Sequence, residues 1–302
     1  MKQPTPIRLT QNTVTAWLFV LPGLLGLLLF VIIPFVLAFI LSFTNMRLGS
    51  PLPIEFVGLT QYQRILSDTA FLAALRNNAV FALFVVPMQT CLALLLALLI
   101  NQSMRGMVFF RTLFFMPVVF PLSLVSVVWI LIFAPSLQGT LNSLLHVISF
   151  GSWQSHDFLH EANWALPAIA LTSIWQGVGF QMVILLAALQ AIPAQLYEAA
   201  EVDGAGNFKQ LLHITLPQLR NALIFVVLVT TILAFRLFDQ VQIMTQGGPG
   251  YATTTVMYET VKASFGSQQV ARGAAMTVVF FVVVLLLTLI QRYLVKHEKT
   301  IL

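Results

Sequence analysis

The sequence predicts an all-α integral membrane protein with six transmembrane helices, formed by one domain over 1–302. Three observations carry that expectation. Hydrophobic residues fill 59% of the chain, charged residues only 8%, and mean hydropathy is +0.91, a composition suited to lipid rather than to water. Long apolar runs recur at approximately 14–43, 77–100, 112–134, 164–189, 221–245 and 273–294, and about 20 such residues cross roughly 30 Å of hydrocarbon. No linker or low-complexity stretch divides these runs into separate units.

The first run is about twice as long as a secretory h-region and ends in no small-residue cleavage site, so it reads as an uncleaved anchor. Thr60-Gln-Tyr-Gln63 then has the form of a capping box, and Leu59, Tyr62, Ile65 and Leu66 mark a short interfacial helix. The second run holds the chain's one cysteine, Cys91, in apolar surroundings; it reads as a packing residue, and no internal disulfide is possible. Between the third and fourth runs, Leu137, Leu141, Leu144, Leu145 and Ile148 keep helical spacing over a stretch too short and polar to cross. His156 and His160 follow with Glu161 beside them, but no further ligands cluster there, so no metal site is expected. The fifth run is charge-free only to 235 and reaches 245 by including Arg236 and Asp239. Gly247-Gly248-Pro249-Gly250 must break it, through backbone freedom and a missing donor. Val256, Met257, Thr260, Val261 and Phe265 then form a helical pattern leading to the sixth run.

Basic residues in short loops set the orientation. With the N-terminus cytoplasmic, that side receives Lys2, Arg8, Arg105, Arg111, Lys209, Arg220, Arg292, Lys296 and Lys299, against Arg47, Arg64, Arg76, Lys262 and Arg272 outside. Nine against five predicts both termini cytoplasmic. The same bias accounts for the net charge of +5, and no clustered basic face calls for nucleic acid.

The loop between the fourth and fifth runs is the most informative stretch. Pro193 suits a first helical turn, the helix continues through Glu198, Ala199 and Ala200, and Gly204 supplies a left-handed stop. Asn207 is placed to cap a second helix carrying Phe208, Leu211, Leu212 and Thr215 on one face, with Pro217 ending it. Small alanines permit close approach by another protein, and Glu198, Glu201 and Asp203 offer it acidic contacts.

Glu198-Ala-Ala200, three residues, Gly204, nine residues, then Ile214-Thr-Leu-Pro217 closely resembles the EAA loop of binding-protein-dependent ABC importer permeases. Further segments extend the resemblance along essentially the whole chain. Phe56-Val-Gly-Leu59 with Tyr62 is similar to the F-V-G-L-x-N-Y segment of sugar-type permeases, with Gln61 in place of the usual Asn. Phe110-Arg111-Thr112 with Met116-Pro117, the segment Ile174-Trp-Gln-Gly-Val-Gly-Phe180, Phe238-Asp239 and Thr245-Gln-Gly-Gly-Pro249 match the carbohydrate-uptake, maltose-type subgroup, in its T-x-G-G-P-bearing subunit. The resemblance implies a type I ABC importer permease architecture with a cytoplasmic coupling helix in the loop 193–217. It implies a bacterial inner-membrane location and an ATP-driven sugar importer of which this chain forms half the path.

The implied partners are a second homologous permease in a heterodimer, two copies of an ABC ATPase, an extracytoplasmic solute-binding protein, membrane lipid and a small-molecule sugar. Glu198, Ala199, Ala200, Glu201, Asp203 and Gly204 would couple to the ATPase. The pieces expected on the outer face would either cap the pore and meet the delivery protein or only seal the bundle. No glycine-rich turn ends in Gly-Lys-Ser/Thr, and no nucleophile–base arrangement stands out. The chain is thus expected to be no enzyme and to bind no cofactor, with ATP and Mg used by the partner ATPase.

A charge within a span needs a reason. Arg236 and Asp239, three residues apart on one helix, would pair and line an aqueous path, or pair only to pack the bundle. Trp175, Gln176, Gly177 and Phe180 offer the ring faces, amide and close approach that a sugar site uses, and the family's substrate-contacting spans add Thr230 and Thr231. Each also fits ordinary helix packing. A polyol or glycerol phosphate is the alternative solute. An ion-coupled secondary transporter is the alternative class, for which Asp239 is the one intramembrane carboxylate and no inverted repeat is evident.

Overall fold

The computed structural model describes residues 11–101, 106–136 and 139–298, with side chains described from 16 to 293 within those ranges. Lys2, Arg8, Arg105, Leu137 and Lys299, and the side chain of Lys296, lie outside the described residues. Most of it is helical, in the order α1 (11–41), α2 (Thr60–Leu66), α3 (Thr69–Ile100), α4 (Met107–Val119), α5 (Leu122–Ile132) and α6 (Thr140–Ile148). The chain continues with α7 (Ala162–Gln190), α8 (Ala194–Val202), α9 (207–235), α10 (256–266) and α11 (Val270–Glu298).

Among the described residues, five helices are long and apolar enough to cross a membrane, and α4 with α5 form a pair bent by 101°. The two halves of that pair pack against different ends of the bundle. Met107 and Phe114 of α4 pack with Ala97, Ile100, Leu189 and Leu219, at the end of the bundle that carries 191–206. Val125 and Trp129 of α5 pack with Phe158, Phe235, Leu237 and Met244, at the far end. Counted as one broken span, the bent pair brings the candidate crossings among the described residues to six. The third span expected over 112–134 corresponds to these two helices, Met107–Val119 and Leu122–Ile132, with a break between them. Pro117 and Pro121 each lack a donor, and Pro121 holds Phe120 extended at φ −80, ψ 138, so the helix cannot continue.

Two other prolines are absorbed instead. Leu28–Ile32 in α1 and Leu211–Thr215 in α9 are π-helical turns, each followed within two residues by Pro34 or Pro217. The wider turn moves a carbonyl away from the proline ring and tolerates the missing N–H. Pro217 accordingly does not end the second loop helix, which runs on as α9 through Phe235. The fifth segment thus lies at 207–235 and not 221–245. Asn207 is the first helical residue, with Gly206 as its cap. The capping box at Thr60 does not form either, because Thr60 donates back to the Val57 carbonyl at 2.7 Å.

The α3 helix starts at Thr69, earlier than expected, because the Asp68 carboxylate caps it by accepting from the Ala70 N–H at 3.1 Å. Asp68 also pairs with Arg272 of α11. The α1 helix lies at the periphery, exposed along most of 16–41, and touches α11 where the Phe35 and Phe281 rings approach to 4.7 Å.

Candidate functional site

A half-open cavity of about 440 Å³ lies within the helical bundle, walled by α3, the bend between α4 and α5, α7, α9 and the segment 236–240. Phe81, Val85 and Gln89 of α3 face it at intervals of four residues, one stripe of that helix. Of the pathway residues expected from sequence, Gln176, Gly177, Phe180, Thr230, Arg236 and Asp239 all line it. Trp175 does not; its ring packs edge-on against Trp129 at 5.7 Å, since one helical step turns it away from Gln176. Thr231 is likewise absent from the lining and accepts a bond from Gln291 of α11 at 3.0 Å.

The lining includes polar groups that the sequence reading passed over: Gln89, Gln181, Gln240 and Ser173. Gln181 donates to the Thr230 hydroxyl, which donates onward to the Val226 carbonyl at 2.7 Å. Gln240 donates to Ser173 at 2.9 Å. An amide in the middle of an uncharged run was the available signal, since such a group is costly in hydrocarbon without a partner.

The expected Arg236–Asp239 pair on one helix face is also corrected. The α9 helix ends at Phe235, Arg236 is its terminal cap at φ −82, ψ 14, and no ion pair joins the two among the described residues. Side chains from elsewhere take the carbonyls that the helix would have used. Asn78 donates to the Phe235 carbonyl at 3.3 Å, and Thr255 donates to that of Leu237 at 2.9 Å. Both Arg236 and Asp239 are exposed at the cavity, where one cation and one anion leave it close to neutral.

The far end is closed by the segment 246–255. Gln246, Gly247, Gly250 and Tyr251 have positive φ, so the chain coils tightly there. Asn77 donates to the carbonyls of Tyr251 and Thr254 at 2.8 and 2.9 Å, and Asn78 accepts from the Val256 N–H at 2.9 Å. Two adjacent asparagines of α3 thereby latch a loop more than 170 residues away. Beside it, α6 and the following loop fold around buried Asn142, which bonds Ala134, Trp153 and His156. His156 faces Glu161 at 3.1 Å and His160 faces Asp157 at 2.9 Å, so the histidines belong to separate pairs.

At the opposite end, α8 and the start of α9 form a helix–turn–helix. Gly204 has φ +74; the Ala205 N–H reaches the Ala200 carbonyl at 2.8 Å and the Gly204 N–H reaches that of Glu201 at 3.0 Å. Those two bonds are a Schellman stop, and the left-handed residue they require is best supplied by glycine. Tyr197 binds the Thr215 hydroxyl at 2.9 Å, joining the two helices. Glu198, Ala199, Glu201, Asp203 and Gly204 are exposed and Ala200 half-buried. Val202 at 90% and Phe208 at 72% exposure add apolar surface to the carboxylates.

The family described as binding-protein-dependent transport system inner membrane component matches residues 89–299. A probable ABC transporter permease protein of Bacillus subtilis, YurN, is 33% identical over 96% of this chain and 98% of its own length. The diacetylchitobiose uptake system permease protein NgcF of Streptomyces coelicolor is 34% identical over 94% of this chain and 83% of its own. AmyD of Thermoanaerobacterium thermosulfurigenes, a probable starch degradation products permease, is 29% identical over 96% of each. A solved bacterial ABC transporter involved in alginate import has the same fold, with a TM-score of 0.81 at 20% identity over 95% of this chain and 96% of that one. With a family match over most of its length and relatives a third identical, this chain belongs to the inner-membrane components of binding-protein-dependent transport systems, as a permease subunit.

Proposed function

We propose that this chain forms half of the translocation path of an ATP-driven importer for a neutral oligosaccharide or disaccharide. The observation that carries the reading is the cavity, lined by amides, hydroxyls and aromatic rings and open on one side. Amides bond sugar hydroxyls, and rings cover their C–H faces. A second, homologous permease covers the open side, and an extracytoplasmic binding protein delivers the solute to the far end. Named sugar-product permeases among the relatives support the substrate class. The balance of Arg236 against Asp239 favours a neutral solute over glycerol phosphate.

The 193–217 loop docks in a groove of one of two ATPase subunits, the second permease's loop in the other, on the cytoplasmic side together with both termini. The excess of basic residues assigned to that side supports this orientation. ATP and Mg bind to the ATPase and not to this chain. Closure of the ATPase dimer pushes on α8. The Schellman stop at Gly204 and the Tyr197–Thr215 bond support a stiff lever that carries the push into α9, whose far half walls the cavity.

The test is purification by a tag on this chain, followed by reconstitution with the copurified subunits. An ATPase should copurify, and sugar-loaded binding protein should raise both hydrolysis and uptake. Uptake by this chain alone, driven by an ion gradient without ATP, would replace the proposal with an ion-coupled carrier.

A further inference from the structure

Among the polar groups lining the cavity, Gln89 stands apart. It lies midway along the uncharged stretch 77–100 and is 7% exposed. Gln181 and Gln240 each donate to a neighbour, Thr230 and Ser173, although the Gln181 carbonyl oxygen is left without a partner; neither end of the Gln89 amide has a hydrogen-bond partner among the described residues. A primary amide carries two donors and an acceptor, and burying them unpaired in hydrocarbon is costly. Ordinary helix packing favours leucine or alanine at such a position.

The facing helix makes room for this amide. A Cβ on Gly177 would overlap the Gln89 amide nitrogen and stand 3.2 Å from its Cδ. Gln176, half-buried and without a hydrogen-bond partner among the described residues, precedes Gly177 on the same wall. Two unengaged amides thus flank one glycine, with the exposed Phe180 ring one turn beyond Gln176.

We propose that Gln89, whose amide fills the space left by Gly177, is a specificity-determining residue that binds a vicinal pair of hydroxyls on the transported solute from the cavity side. This inference rests on the sugar-import reading and adds to it a named recognition group. A carboxamide can donate one N–H and accept one O–H at the spacing that adjacent ring hydroxyls present. Gln89, Gln176 and Ser173 carry no formal charge, and the cation in the lining, Arg236, is balanced by Asp239, so the cavity suits a neutral polyol. The recognition is selective because a solute lacking one hydroxyl leaves a buried amide unpaired.

The experiment uses the full reconstituted complex with a panel of maltose, cellobiose, trehalose and diacetylchitobiose, and compares wild type with Gln89→Leu and Gln89→Asn. Gln89→Leu should lower uptake kcat/KM for the best-transported sugar by about tenfold or more. Assembly, read as the amount of ATPase that copurifies, should stay unchanged. Gln89→Asn keeps the amide but withdraws it by one carbon, and should recover part of the loss with an altered order of preference among the sugars. Wild-type kcat/KM in Gln89→Leu, or an equal loss in Gln89→Asn and Gln89→Leu with unchanged preference, would overturn the assignment alone. Failure of the wild-type complex to import any sugar would overturn the sugar reading and this assignment with it.

Discussion

Replacing Gly204 separates the backbone requirement of the loop from its contacts. Gly204 sits at φ +74, and a Cβ added there would meet nothing within 4 Å. Any effect within this chain is therefore conformational. A non-glycine residue in the left-handed region costs about 1–2 kcal/mol, which disfavours the native turn by a factor of roughly 5–30. Asparagine enters that region more readily than alanine, and a β-branched residue least readily. The expected order of ATP-driven uptake is thus Gly, then Asn, then Ala, then Val. Thermal stability of the bundle should barely move, because the turn is exposed and lies outside the packed clusters. The assay is uptake by the reconstituted complex at matched ATPase content, with unfolding followed in parallel. An order set by side-chain size, with Ala above Asn, would refute the reasoning and point to steric exclusion from the partner's groove.

Gly179→Ala should act on stability instead. Its Cβ would overlap the Phe114 carbonyl oxygen and lie 2.9 Å from the Phe115 Cα, all backbone, so α4 and α7 must separate. The expected loss is about 1–3 kcal/mol, read as a lower unfolding temperature of the purified complex; an unchanged temperature would show that the helices do not meet there. Asn78→Leu removes partners from the Phe235 carbonyl and the Val256 N–H. Each unpaired buried group costs about 1–3 kcal/mol. Limited proteolysis within 246–255 should then become faster than in wild type, and equal rates would contradict the latch.

The long spans were legible where apolar runs had clear bounds, as for α7 between Glu161 and Pro193, observed at 162–190 against an expected 164–189. The stops were harder to read. Pro121 breaks a helix while Pro34 and Pro217, locally similar, pass into π-helical turns. The end of α9 depends on Asn78 and Thr255, which reach it from other parts of the chain. No local pattern reports such a partner. In the cavity, Gln176, Gly177 and Phe180 were readable as sugar-suited types, whereas the choice between Trp175 and Gln176 depended on the rotation of α7. Gln89 was visible as an amide in an uncharged run, but its importance emerges only against Gly177.

The lever itself is tested most directly by a photo-crosslinking amino acid at Val202, which is 90% exposed on α8, in the assembled complex in sealed membranes. Irradiation should join this chain to the ATPase subunit, with a yield that changes when ATP binds. The same probe at Phe150, 99% exposed at the far end, should not capture the ATPase. Capture of the extracytoplasmic binding protein from position 202, or labelling of that position by an impermeant reagent added outside, would contradict the account.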